Sequence, residues 1–363
     1  MQTSKRMIKK LTFLFIIVFV FLSSEVWPCT TFCLRTQDRV VFGRNYDWDI
    51  GDGLVVINKR NVEKNLLSSF PKANSKWVSR YGSISFNQYG VDAPMDGLNE
   101  AGLVVAQMWL DGTRYPKADS RSRVGALSWI QYHLDNSANV QDVIESDKKI
   151  RIDPEISAPL HFLVCDISGQ VAVIEFLDEK MVVHTGKNLT YAALANSTYS
   201  ASLRYLKDKK SKSTSRDRSW TANSMNRFAK AAEMVATYEP QKSDIVDYGF
   251  EVLQAVNSPG RTQWSIVYDI TNFRVSFKTK QQPTRKTVHL KEFQLNCQSP
   301  MEIIDINSTN SGDISKFFTT YTTQTNKDLI YKTYKNTPFL QYTADYFLND
   351  KAKYPESFRC MQN

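Results

Sequence analysis

The residues best suited to chemistry stand near the start of the chain. Cys29 is followed by Arg44 and Asp47, fifteen and eighteen residues on, in the stretch Phe42-Gly43-Arg44-Asn45-Tyr46-Asp47-Trp48. A thiol is only slightly ionised at neutral pH and needs a base beside it to become an efficient nucleophile. If Cys29 is the first residue of the mature protein, its own α-amino group supplies that base. Such an amine has an unperturbed pKa of about 7.7–8.0 and can take the thiol proton directly or through one water. Asp47 could then orient the α-ammonium, and Arg44 could lower the thiol pKa through its charge. Nucleophile and base would share one residue, so no catalytic histidine is needed. The four histidines, His133, His161, His184 and His289, are indeed scattered singly. No Cys or His lies at zinc-ligand spacing, and no metal or other cofactor is expected. The competing reading of Cys29 is a structural cysteine paired with Cys33 or a more distant partner.

This chemistry requires a fold that returns 42–48 to Cys29. Residues 31–35, 40–45 and 54–59 are rich in β-branched and apolar side chains and separated by polar turns, so they read as strands. A strand from residue 31, a turn near Asp38 and a return strand would make the approach. Further strands are expected over 81–86 and 102–109, with helical apolar spacing over 127–134, continued over 140–146. A second strand group covers 161–167, 171–177 and 181–184, with Ser168-Gly169 as a hairpin turn. Helices over 224–237 and 244–256 follow, stopped by Asn257-Ser258-Pro259-Gly260, and then a hairpin over 263–268 and 273–277. Strands, helices and strands again suggest an α+β arrangement of helices stacked on antiparallel sheets. After about residue 290 the chain turns polar, rich in Thr, Asn and Lys, and closes on an aromatic stretch over 331–358. It reads as an appended, partly ordered extension, 291–363.

The ends set the compartment. Lys5, Arg6, Lys9 and Lys10 precede the apolar run LTFLFIIVFVFL at 11–22. That run is shorter than the about 20 residues that span a bilayer and has the flanks of a secretory signal. Cleavage is expected between residues 24 and 28, giving an exported protein, periplasmic or secreted, without stable membrane insertion. The whole chain carries +9; residues 1–28 hold four Lys/Arg against one Glu, so the remainder carries +6. The densest basic run, 204–218, lacks aromatic interleaving beyond Tyr205 and reads as a solvated loop, so nucleic acid is not an expected partner. Five cysteines, 29, 33, 165, 297 and 360, are an odd number for an exported protein. Cys297 and Cys360 are expected to pair, tying the extension to the domain, while Cys29 and one other thiol stay free.

Several ordered segments give a resemblance. Cys29-Thr30-Thr31, Gly43-Arg44-Asn45-Tyr46-Asp47, Asp96-Gly97-Leu98-Asn99-Glu100-Ala101-Gly102-Leu103, Ala195-Asn196-Ser197, Asn226-Arg227-Phe228 and Arg261-Thr262-Gln263-Trp264 occur in this order. The chain over 29–290 resembles the N-terminal-nucleophile hydrolases of the choloylglycine hydrolase family, which includes bile salt hydrolases and penicillin V acylases. The resemblance implies a four-layered αββα sandwich of antiparallel sheets. It implies Cys29 as nucleophile and base, held by Arg44 and Asp47. Asn196 would give its side-chain amide to an oxyanion hole, with the backbone N–H of Trp109 as second donor, and Arg227 would complete the cluster. Trp109 stands where bile salt hydrolases usually carry asparagine. With Trp48 and Met108 it suggests a pocket for an apolar or aromatic acyl group on a small-molecule amide. Three alternatives stay open: a bile salt hydrolase, a cysteine dipeptidase-type peptidase, and a non-catalytic secreted binding protein. A homo-oligomer is also compatible with the sequence.

Overall fold

The computed structural model describes residues 28–65, 75–211 and 220–361. Of the signal peptide and leader expected over residues 1–28, residues 1–27 lie outside the described residues. No helix among those described is long and apolar enough to cross a membrane.

Two large sheets face each other. The first runs in the order Ala193–Leu194, Thr30–Arg35, Val40–Asp47, Thr262–Asp269, Arg274–Thr279, Lys286–His289 and Gly312–Asp313. The second runs Lys180–Thr185, Val171–Leu177, Leu160–Cys165, Val104–Trp109, Pro94–Asn99, Ser83–Asn87, Leu54–Asn58, Glu302–Asp305 and Thr319–Thr320. All neighbours are antiparallel except the last pair of the first sheet. The helices Trp220–Ala236 and Ile245–Ala255 pack on the strands of the first sheet, and Ala126–Asn136 packs on the second. The layers are therefore helix, sheet, sheet, helix: the αββα sandwich that the resemblance implies.

Local sequence explains these choices. Ile245–Ala255 starts where the Asp244 carboxylate accepts from the backbone N–H of Val246 at 2.8 Å, a cap worth about 1 kcal/mol. Its residues Ile245, Val246, Gly249, Phe250, Val252 and Leu253 form one buried face at helical spacing. The Asn99-to-Leu103 segment is a tight turn between two strands. The Asn99 side chain accepts from the N–H groups of Ala101 and Leu103 and donates to the carbonyls of Leu134 and Ser137. Gly102 sits there at φ +86°, a left-handed conformation that side chains resist. This motif is architectural: it fixes the strand that ends in Trp109.

Val40–Asp47 is buried along its whole length because strands flank it and both of its faces are covered. Strands in that position usually read as an unbroken apolar run. Here the run is broken by Arg44, Asn45 and Asp47, all 0 % exposed. Three polar groups at that depth are costly unless partnered, and they mark the site.

Two stretches depart from the sequence reading. The basic run begins inside the helix Tyr199–Ser211 rather than a loop, and residues 212–219 lie outside those described. The residues after 290 do not lie apart. Glu302–Asp305 pairs with Leu54–Asn58, and Gly312–Asp313 extends the first sheet. The helices Thr323–Lys335 and Asp345–Lys353 pack against each other. The Cys297–Cys360 disulfide closes this segment, as expected. Ile303, Ile304, Ile306, Ile314, Ile330 and Leu348 are all buried. They are spaced so thinly among polar residues that no periodicity announces them.

Candidate active site

Cys29 sits at the start of Thr30–Arg35, whose neighbour Val40–Asp47 returns with Thr30 opposite Asn45 and Thr31 opposite Arg44. The expected hairpin thus brings Arg44 and Asp47 to Cys29. The thiol, 2 % exposed, donates weakly to the Asp47 carbonyl at 3.8 Å. Burial pushes the Cys29 thiol pKa up; Arg44 opposes this and the Asp47 charge reinforces it. Arg44 therefore acts in the expected direction, but desolvation wins. The thiol needs an adjacent base rather than a charge alone.

Arg44 is itself held by the Met95 carbonyl at 2.8 Å and by an ion pair with Asp96. Tyr268 donates to the other oxygen of the Asp96 carboxylate. Asp47 is different. Both of its carboxylate oxygens are buried without a hydrogen bond among the described residues. Burial raises its pKa to about 7, although Arg227, the nearby Thr262 and Ser258 hydroxyls, and Arg44 all pull the other way. An acid held there is poised to accept a cation.

Asn196 and Arg227 reach the same point from outside the hairpin. Arg227, on the helix Trp220–Ala236, donates to the Cys29 carbonyl at 2.6 Å and to the Thr30 hydroxyl. Its other terminal nitrogen donates to the Asn196 side-chain oxygen at 3.1 Å. That contact turns the Asn196 amide nitrogen toward Trp109, whose carbonyl accepts one of its protons at 2.9 Å. The Asn196 backbone N–H donates to Ser224 Oγ at 2.9 Å. His161 Nε2 meets the preceding carbonyl, that of Ala195, at 2.7 Å. The loop that carries Asn196 is therefore fixed from three sides.

Cys29 opens onto a cavity of about 760 Å³ whose lining includes Trp48, Tyr89, Met95, Gln107, Trp109 and Phe339. Trp48, Trp109 and Phe339 form an aromatic wall, with pairwise ring centroids 6.3, 6.3 and 6.4 Å apart. The Trp48 indole donates to Tyr89 at 2.8 Å, and Tyr89 meets the Thr337 hydroxyl at 3.0 Å.

Comparison with known proteins now carries weight. The profile of "Linear amide C-N hydrolases, choloylglycine hydrolase family" matches residues 29–303. The chain belongs to this family. It is 35% identical over 137 residues to a penicillin V acylase of Pectobacterium atrosepticum, covering 34% of this chain and 36% of that protein. It is 28% identical over 166 residues to a bile salt hydrolase/transferase of Clostridium perfringens, covering 43% of this chain and 50% of that protein. The matches thus span between about a third and a half of these relatives' lengths. The solved structure of penicillin V acylase from Agrobacterium tumefaciens superposes with a TM-score of 0.68 at 24% identity, covering 81% of this chain and 98% of that one. That likeness fixes the fold.

Against this choloylglycine hydrolase frame, the structure brings Cys29, Arg44, Asp47, Asn196 and Arg227 together and sets Trp48 and Trp109 on the cavity wall. Met108 does not join them. It is fully buried and accepts a hydrogen bond from the Thr31 hydroxyl at 3.3 Å, in the core between the sheets. Side chains alternate across a strand, so the neighbours of a lining residue face away. Gln107 and Met95 line the cavity instead. Phe339 and Lys351, both from the C-terminal segment, also belong to the lining and were missed from the sequence. Lys351 is the one cationic side chain among the described lining residues. Burial lowers its pKa to about 8, with Asp92 opposing. The aromatic richness of 331–358 was the available signal for this contribution.

Proposed function

We propose that the mature protein begins at Cys29, is exported, and hydrolyses linear acyl amides with the Cys29 thiol as nucleophile, in the manner of a penicillin V acylase. One observation carries this reading: Cys29 lines the cavity while the buried Asp47 carboxylate, near Arg227 and the Thr262 and Ser258 hydroxyls but short of a well-formed hydrogen bond, lies behind it. A free α-ammonium on Cys29 gives that carboxylate its partner and lowers its pKa toward the ordinary range.

In the reaction, the α-amine takes the thiol proton as the sulfur attacks the amide carbonyl. The tetrahedral oxyanion accepts from the second amide proton of Asn196 and from the Trp109 backbone N–H. Arg227 acts one step away, by orienting the Asn196 amide through its oxygen. Collapse expels the amine, which leaves with the proton held by the α-ammonium. Water then attacks the thioester by the same route in reverse. Donors fixed in advance suit a charge that appears only in the transition state.

The Trp48–Trp109–Phe339 wall favours flat aromatic or long apolar acyl groups. A conjugated bile salt brings a rigid, broad steroid that this wall would crowd. The curated relatives carry both names, and the aromatic wall favours the acylase reading. A side-by-side screen of penicillin V, fatty acyl amino acids, N-acyl homoserine lactones, glycocholate and taurocholate tests it. Phenoxyacetyl and fatty acyl amides should turn over fastest. Faster turnover of the bile salts would overturn the pocket argument.

A further inference from the structure

Two of the cysteines outside the site meet across the middle of the sandwich. Cys33 lies on Thr30–Arg35 in the first sheet, and Cys165 ends Leu160–Cys165 in the second. Their sulfurs are 2.9 Å apart, at a sequence separation of 132 residues. They are 3 % and 0 % exposed, and their other sulfur contacts are weak ones to the backbone carbonyls of Leu34 at 3.9 Å and Asp166 at 3.7 Å. A covalent S–S bond is about 2.05 Å long, so closure needs a movement of under an ångström. Cys29 and Cys33 are four residues apart along extended chain, about 13 Å, whereas bridged cysteines need Cα atoms within about 7 Å.

We infer that Cys33 and Cys165 form a disulfide that staples the two sheets together and leaves Cys29 as the single free thiol of the mature protein. The sequence reading gave Cys33 and Cys165 no partner; in the structure both are thiols at contact distance, and their bond accounts for the odd cysteine count. The oxidant is a thiol–disulfide exchange catalyst or small disulfide of an oxidising compartment. One cysteine thiolate attacks the oxidant's disulfide and displaces one of its sulfurs. The second cysteine then displaces the other, so the Cys33–Cys165 bond forms as the oxidant's S–S bond becomes two thiols, which take up the cysteine protons. Burial, together with the neighbouring Cys33 thiol, holds the Cys165 thiol pKa well above its ordinary value in the folded protein. The exchange therefore belongs to folding, before the sheets close. The consequence for the site is a single reactive thiol: once Cys33 and Cys165 are joined in a buried bond, neither offers Cys29 a free thiol to be oxidised with.

The test is non-reducing peptide mapping of the full chain after export to a bacterial periplasm, alkylated in denaturant. A Cys33–Cys165 cross-linked peptide beside Cys297–Cys360, with Cys29 alone alkylated, is expected. Alkylation of both Cys33 and Cys165, or a bond from either to Cys29, would overturn the inference. The double variant Cys33→Ala, Cys165→Ala should keep the fast thiol of Cys29 but unfold at a lower denaturant midpoint. An unchanged midpoint would contradict the staple. Neither readout depends on turnover, so failure of the amidase reading would be seen separately.

Discussion

Behind Cys29 and in front of it the molecule is built from different materials. Behind, Arg44 and Asp47 come from the strand hydrogen-bonded to the one that Cys29 leads, both 0 % exposed, and Arg227 reaches in from the helix layer to bind the Cys29 carbonyl. In front, the cavity wall is assembled from Trp48, Trp109 and a segment far downstream that carries Phe339, which is 54 % exposed. Groups that share a sheet are held to a fraction of an ångström by the ladder. Phe339 comes from outside both sheets and is half-exposed, so its side chain can change without disturbing that ladder, whereas Trp109 and Trp48 are carried at the ends of sheet strands. On the proposed reading, chemistry belongs to the first region and specificity to the second.

The largest effect should follow from Cys29→Ala, which removes the proposed nucleophile. Turnover should fall by about 10⁴ or more with little change in unfolding midpoint, measured by steady-state kinetics beside urea titration. Asn196→Ala should lower kcat by about 10² to 10³ through loss of one oxyanion donor. An Asn196→Ala enzyme with normal turnover would place the hole elsewhere. Both changes should act equally on all acyl groups.

The front wall should behave otherwise. Phe339→Ala or Trp109→Ala forfeits apolar contact worth about 25 cal/mol per Å². The specificity constant for aromatic or long acyl amides should fall several-fold to tens-fold, while small acyl amides change much less. A uniform loss across substrates would dissolve the distinction between the two regions.

The same distinction explains how much could be read in advance. Cys29, Arg44 and Asp47 were legible because a hairpin is a local event: fifteen residues and one turn bring Arg44 back beside the start of the strand. The sandwich was legible from alternating strands and helices with clear stops. Asn196 and Arg227 could not follow from spacing, because they join Cys29 only through long-range packing; resemblance supplied them. Met108 was misplaced because adjacency to Trp109 in sequence means the opposite face in a strand. Phe339 and Lys351 were missed because the segment that carries them buries isolated isoleucines among Thr, Asn and Lys, with no period to mark its elements.

A smaller effect concerns pH. In a chain that still carries Pro28, Asp47 has its pKa raised from 3.8 to about 7 by burial. The unfolded state then binds fewer protons than the folded one between those values. Stability should fall as pH rises from about 4 to 7, by a few kcal/mol at about 1.4 kcal/mol per unit. Asp47→Asn should flatten that slope in urea titrations across the range. In the processed protein the α-ammonium should already have flattened it, and an equal slope before and after processing would separate Asp47 from the amine.

The most direct test of the central claim is intact-mass and N-terminal analysis of the active species, isolated by labelling with a thiol-directed reagent that follows loss of turnover. The account predicts that every active molecule begins at Cys29 and carries one label there. Full turnover by a chain in which Pro28 or Glu25 still precedes Cys29 would contradict it, because the α-nitrogen would then be an amide with no basicity to give.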